Sequence, residues 1–102
     1  MEKKVIRKIQ ISYDNHNFRD ISLINAELKE FDHAFSSPWE ISIETRNEMS
    51  VDKKAEIRFL IEGSRYFEAS VFVSIENSNE NSGIREYTLK GISDILSCHS
   101  SH

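Results

Sequence analysis

From Pro38 onward the chain repeats one pattern three times, with apolar residues at every second position and polar residues between them. In "PWEISIETR", Trp39, Ile41 and Ile43 share one side, and Glu40, Ser42 and Glu44 share the other. The strand this implies runs from Trp39 to about Met49. Lys53 to Glu62 puts Ala55, Ile57, Phe59 and Ile61 on one face. Tyr66 to Glu76 puts Phe67, Ala69, Val71, Val73 and Ile75 inward, with Glu68, Ser70, Ser74 and Glu76 outward. A period of two marks strands with one dry face and one wet face. Such strands suit an antiparallel sheet, which can meet water on one side. "EGSR", Glu62 to Arg65, has hairpin length, and Gly63 is free to take positive φ.

The first third is less regular. Val5 to Tyr13 reads as a strand with Val5, Ile9, Ile11 and Tyr13 on one side, although Arg7 falls on that apolar side and Ile6 on the polar one. "DNHN", Asp14 to Asn17, is turn chemistry. Phe18 to Leu28 reads two ways, as a short strand through "RDISLI" or as a turn or two of helix through "LINAELKEF". "DHAFSSP" reads as a loop closed by Pro38. "NSNENSG", Asn77 to Gly83, reads as a loop or hairpin tip. "IREYTLKGISDILS" then splits into a strand to Lys90 and a short helix from Ile92, since Gly91 inside a single helix costs about 1 kcal/mol.

These elements predict a mostly β, α+β single domain over residues 1–102: an antiparallel sheet of four to five strands with a short C-terminal helix. One helix of two or three turns does not cover a sheet roughly 25 Å across at about 4.8 Å per strand. The dry face is therefore covered by another chain, or the sheet closes into a small β-barrel. The first alternative makes a homo-oligomer, a dimer or tetramer, the expectation.

Composition narrows the function. The 102 residues are 38% hydrophobic and 29% charged with a net charge of −4, the profile of an ordinary globular chain. Lys3, Lys4, Arg7 and Lys8 are the only basic cluster and read as a solvated strand face, so no nucleic-acid partner is expected. Cys98 is the single cysteine, which points to a reducing compartment. No apolar run approaches the roughly 20 residues of a membrane span, and "MEKKVIRKIQISYD" lacks the apolar stretch of a secretory signal. A cytoplasmic protein with no membrane association is expected.

Chemistry is sparse. Glu40, Glu44, Glu56, Glu62, Glu68 and Glu76 fall on polar strand phases and read as a solvated acidic face, or as a recognition surface for a basic partner. Cys98, His99 and His102 are zinc-type ligands without a fourth, and His16 and His33 sit in loop-like sequence. No G-x-S-x-G turn is present, and three glycines build no phosphate loop. No enzyme, metal or cofactor is expected. Tyr66 and Phe72 stand out as large apolar residues on a nominally polar phase.

Two family resemblances add to this. "NFRDISL" (Asn17 to Leu23), "PWEISIETRNEMSVDKKAEIRFLIEG" and "YFEASVFV" resemble, in order and spacing, the strands of the SecB export-chaperone family. That resemblance implies an antiparallel sheet with helices, assembly as a dimer of dimers, and capture of non-native polypeptides in apolar grooves. It also implies that acidic residues on the sheet dock a translocation motor. Asp20 matches one such acid, the next falls on Ile24, and Glu68 lies near a further one. The chain departs from the family in lacking its full pair of C-terminal helices. "DISLINAEL" (Asp20 to Leu28) is also similar to the D-x-S-x-x-G-A segment of PilZ, a small barrel that binds cyclic di-GMP. Here Asn25 stands in place of glycine and the R-x-x-x-R motif is missing, since Ile11 follows Arg7 by four positions. That implies impaired nucleotide binding.

The leading expectation is a SecB-like chaperone or adaptor that binds a polypeptide through Asp20, Glu68, Tyr66 and Phe72. A small acidic inhibitor, immunity-type or antitoxin-type protein with one specific partner is the alternative. A PilZ-like barrel is the third.

Overall fold

A computed structural model describes residues 2–30, 39–61, 65–79 and 81–97. Eight strands account for most of them: β1 (Glu2–Ser12), β2 (Arg19–Ile21), β3 (Leu23–Glu30), β4 (Trp39–Thr45), β5 (Lys53–Ile61), β6 (Tyr66–Asn79), β7 (Ile84–Gly91) and β8 (Leu96–Ser97). Every pairing is antiparallel. Six of the strands form a ring in the order β1-β3-β4-β7-β6-β5, and β5 returns to β1 through Ile9↔Phe59 and Ile11↔Ile57. The sheet is a closed barrel. β2 continues β3 along the same edge of β1 after a break at Ser22, while β8 lies on β6.

Closure answers the covering question that the strand pattern raises. The inward residues of all six strands meet one another: Ile9 and Ile11, Ala26 and Leu28, Ile41 and Ile43, Ile57 and Phe59, Val71 and Val73, Tyr87 and Leu89 are buried in one cluster. Leu28, Ile41, Leu89 and Val73 occupy one continuous inward row across four strands. Phe67 stacks on Phe59 with ring centroids 5.9 Å apart. Trp39 closes one end of the barrel. Its indole lies so close to the Gly91 backbone that a Cβ there would overlap Trp39 Cε2, and its Nε1 donates to Ser93 O at 2.9 Å.

Several sequence expectations are corrected. Val5 is 47% exposed, whereas Ile6 is buried at 3%. The register against β5 jumps from Ile6↔Ile61 to Lys8↔Leu60, so Arg7 is the extra residue of a β-bulge that inverts the phase of everything before it. Ile75 is 46% exposed rather than inward. β5 begins at Lys53, opposite Val73, so Ile75 has β7 beside it through Tyr87 but no strand on its β5 side among the described residues, and a second bulge follows between Ile75 and Asn77. Leu23 to Glu30 is strand, not helix.

The expected C-terminal helix from Ile92 is absent among the described residues. Its backbone groups have other partners: Ile92 N donates to Ser70 O at 3.0 Å, Ser93 O accepts from Trp39, and Leu96 and Ser97 pair with Glu68 and Phe67. The strand from Trp39 stops at Thr45 instead of Met49. There Thr45 Oγ1 accepts from Asn47 N at 3.0 Å and donates to Ser22 O at 2.6 Å. Met49 folds over the barrel end, its amide donating to the Tyr87 hydroxyl at 3.0 Å. The "DHAFSSP" loop with His33, Gly63 of the expected tight turn, and Cys98, His99 and His102 lie outside the described residues.

Candidate docking groove

Alternation that fills the core also sets the outer rows. One row runs Asp20, Gln10, Arg58, Glu68, Leu96 across β2, β1, β5, β6 and β8. Gln10 Nε2 donates to Asp20 Oδ1 at 3.1 Å, and Arg58 Nε lies 3.6 Å from Glu68 Oε2. Three strand steps of about 4.8 Å separate Asp20 from Glu68, which puts their backbones about 14 Å apart along the sheet. Tyr66 and Phe72 lie on the same outer side of β6 as Glu68, and both are about two-fifths exposed.

A groove of about 430 Å³ opens over this row, with Glu56, Arg58, Glu68 and Ser70 on its floor, Asn15 and Phe18 on one wall, and Ser93, Asp94 and Leu96 on the other. The Arg58 guanidinium carbon sits 4.1 Å from the centroid of the Phe18 ring, a cation–π contact. The Phe18 wall is held by Asp14, whose carboxylate accepts from Asn17 N, His16 N, Asn17 Nδ2 and Ser12 Oγ, all within 2.9 Å. These donors, led by the Asn17 and His16 amides, hold the carboxyl well below the usual range. Asn15 takes the left-handed conformation, φ 65°, that this turn needs.

The other wall is tied down where β7 runs out. β7 reaches β6 only as far as Gly91↔Val71, which leaves the Ser70 amide without a strand partner. Ser93 Oγ accepts from it at 2.9 Å. Ser70 Oγ in turn donates to Glu56 Oε2 at 2.6 Å. Among the described residues the groove thus holds three carboxylates, Glu56, Glu68 and Asp94, against the single cation Arg58.

Of the four residues singled out by the sequence, Glu68 lines the groove. Tyr66 and Phe72 flank it along β6. Asp20 ends the same row but faces a separate depression with Tyr13, Arg19 and Met49. There the Tyr13 phenol donates to Ser50 O at 2.8 Å, and burial, then Tyr87, pushes its pKa up. Sequence reasoning missed Phe18, Arg58, Asp94 and Leu96, because their proximity arises when β1 meets β5 and the chain after β7 returns to β6. An arginine on an outward strand phase is the one local signal that was available.

Among the described residues no three of His, Cys, Asp and Glu converge as metal ligands, and no helix is long and apolar enough to cross a membrane. Compared with protein-family models, curated proteins and solved structures, the chain gives no match.

Proposed function

We propose that the barrel is a non-enzymatic protein-binding module that seats a polypeptide partner on the outer wall formed by β5, β6 and β8. One observation carries this reading: the groove over Arg58 lies among four exposed apolar side chains, Tyr66 and Phe72 on β6 and Ile92 and Leu96 after β7. Aromatic residues and arginine anchor protein interfaces more than other residue types do. Charge narrows the partner, because three carboxylates against one arginine disfavour an anionic segment and admit a neutral or basic one. The barrel encloses its own core, so this reading needs no second copy.

The module has two versions. A SecB-like chaperone or adaptor accepts many non-native chains, whereas an inhibitor or immunity-type protein accepts one partner. Panning a random peptide library on the immobilised protein, with Leu96→Glu as counter-target, tests the groove. Apolar sequences that prefer the wild type by about ten-fold or more are expected. Equal binding to the variant, or no enrichment, removes the groove as a docking site. A permanently unfolded client protein then separates the two versions, since a single-partner module ignores it.

Barrel closure favours a second reading, a PilZ-like domain, in which "DISLIN" spans the break at Ser22 between β2 and β3. The acidic groove weighs against a ligand with two phosphodiesters. Calorimetric titration with cyclic di-GMP decides it: measurable heat supports this reading, and none removes it.

A further inference from the structure

β6 outruns one of its neighbours. β5 begins at Lys53, opposite Val73, whereas β6 continues to Asn79 with β7 alongside as far as Asn79↔Ile84. From Ser74 to Asn79, roughly 20 Å of extended chain, no strand lies on the β5 side among the described residues. On that side Asp52 N donates to Val73 O at 2.7 Å. Backbone groups two residues apart on a strand point the same way, so the Ile75 amide and carbonyl also face the open side. The Ile75 side chain continues the inward row of Val71 and Val73, yet it is 46% exposed while both of those are buried.

An unpaired edge is a template for another strand. Ser74 to Asn79 contains no proline and no lysine, the residues that commonly blunt such an edge, and its one charged side chain is Glu76. The bulge at Glu76 keeps the edge short. Both faces of an added strand are then specified. On the inner face, the residue opposite Ile75 covers that apolar side chain. On the outer face, its neighbours come beside Glu76, which begins an outward row continued by Glu86 and Glu44. A cationic residue there is complementary to the row, whereas a second copy of this edge would add another carboxylate to it.

We propose that the open edge of β6 receives an extended segment of another protein, added antiparallel in line with β5. Its apolar residues face Ile75, and lysine or arginine at the alternate positions lies beside Glu76. Backbone bonds to Ile75 supply the attachment, and the alternation supplies the selectivity. The edge lies beyond Val73, whereas the groove over Arg58 lies near Glu68 and Ser70, so this contact does not depend on that groove.

The probe is a capped hexapeptide of alternating lysine and valine, titrated into the isotope-labelled protein and followed by NMR. Amide shifts concentrated from Ser74 to Asn79, with slower hydrogen exchange at Ile75, are expected. Directly opposed residues of an antiparallel pair share a face, so the valines turn their amides to the edge and the lysines turn theirs to solvent. N-methylation of the valine amides should weaken binding about ten-fold or more, and N-methylation of the lysine amides should leave it within about three-fold. These changes leave the protein untouched, so unfolding does not enter the comparison. Ile75→Pro removes a donor that the β6–β7 ladder does not use; it should weaken binding about ten-fold or more while the shifts of the barrel core stay in place. A glutamate–valine peptide should bind about ten-fold more weakly than the lysine–valine one. Equal binding of the two methylated peptides, or of the glutamate and lysine peptides, would overturn the proposal. So would a dimer in light scattering that Ile75→Pro dissociates, since a second copy would then fill the edge.

Discussion

Gly91 and Asp14 show how much of this fold rests on single residues. A methyl group at Gly91 enters the Trp39 indole, and the indole cannot move without losing its bond to Ser93 O. Gly91→Ala should therefore cost about 1–3 kcal/mol, as overpacking of a tight contact does, read as a lower urea midpoint at unchanged slope. An unchanged midpoint would mean the indole has room to shift. Asp14 makes a pH prediction. Its folded pKa is depressed, so the unfolded chain takes up the proton first, and acidification favours unfolding. The contribution is present above the ordinary carboxylate pKa of about 4 and is lost as pH falls through the lower folded value. Asp14→Ala should thus be less stable than the wild type at neutral pH, with the gap closing in acid. A gap independent of pH would mean that the turn, not the carboxylate charge, is what the substitution disturbs.

At the scale of elements, the alternation read from β4, β5 and β6 places Ile41, Ile43, Ala55, Ile57, Phe59, Ala69, Val71 and Val73 inside, and all eight are buried. It fails where a bulge slips the phase. Arg7 gives no sign of being an extra residue until β5 is beside it, because a bulge is a relation between two strands. The inverted pair makes a direct test. Ile6→Lys should cost about 3 kcal/mol or more by burying an unpaired charge, while Val5→Lys should stay within about 0.5 kcal/mol, both by chemical denaturation. Costs in the reverse order would restore the simple alternation. The region after Gly91 was illegible for a similar reason. Ile92 to Leu96 has helical spacing, yet Trp39 and Ser70, distant in sequence, claim the groups a helix would use.

At the scale of the whole molecule, a two-residue period says which face of a strand is dry but not whether the last strand meets the first. That ambiguity made an oligomer the natural expectation, and the β1–β5 pairing bears on it physically: a barrel has no long free edge to join to a second copy. The groove was illegible at the same scale, since Phe18 and Arg58 meet only because β1 lies beside β5. Besides Val5, Ile24 and Ile75, the exposed large apolar side chains among the described residues are the strip of Tyr66, Phe72, Ile92 and Leu96, interrupted by Glu68 and too mixed in character for a permanent interface. Light scattering on a sizing column should therefore give the mass of one chain over a wide concentration range. The net charge of −4 also favours separate molecules at low salt. A dimer that dissociates on dilution, and that Leu96→Glu abolishes, would instead mean that the strip is already occupied by a second copy. The wall of β5, β6 and β8 would then be a self-association surface, and the groove over Arg58 would close on a second copy rather than on a foreign polypeptide.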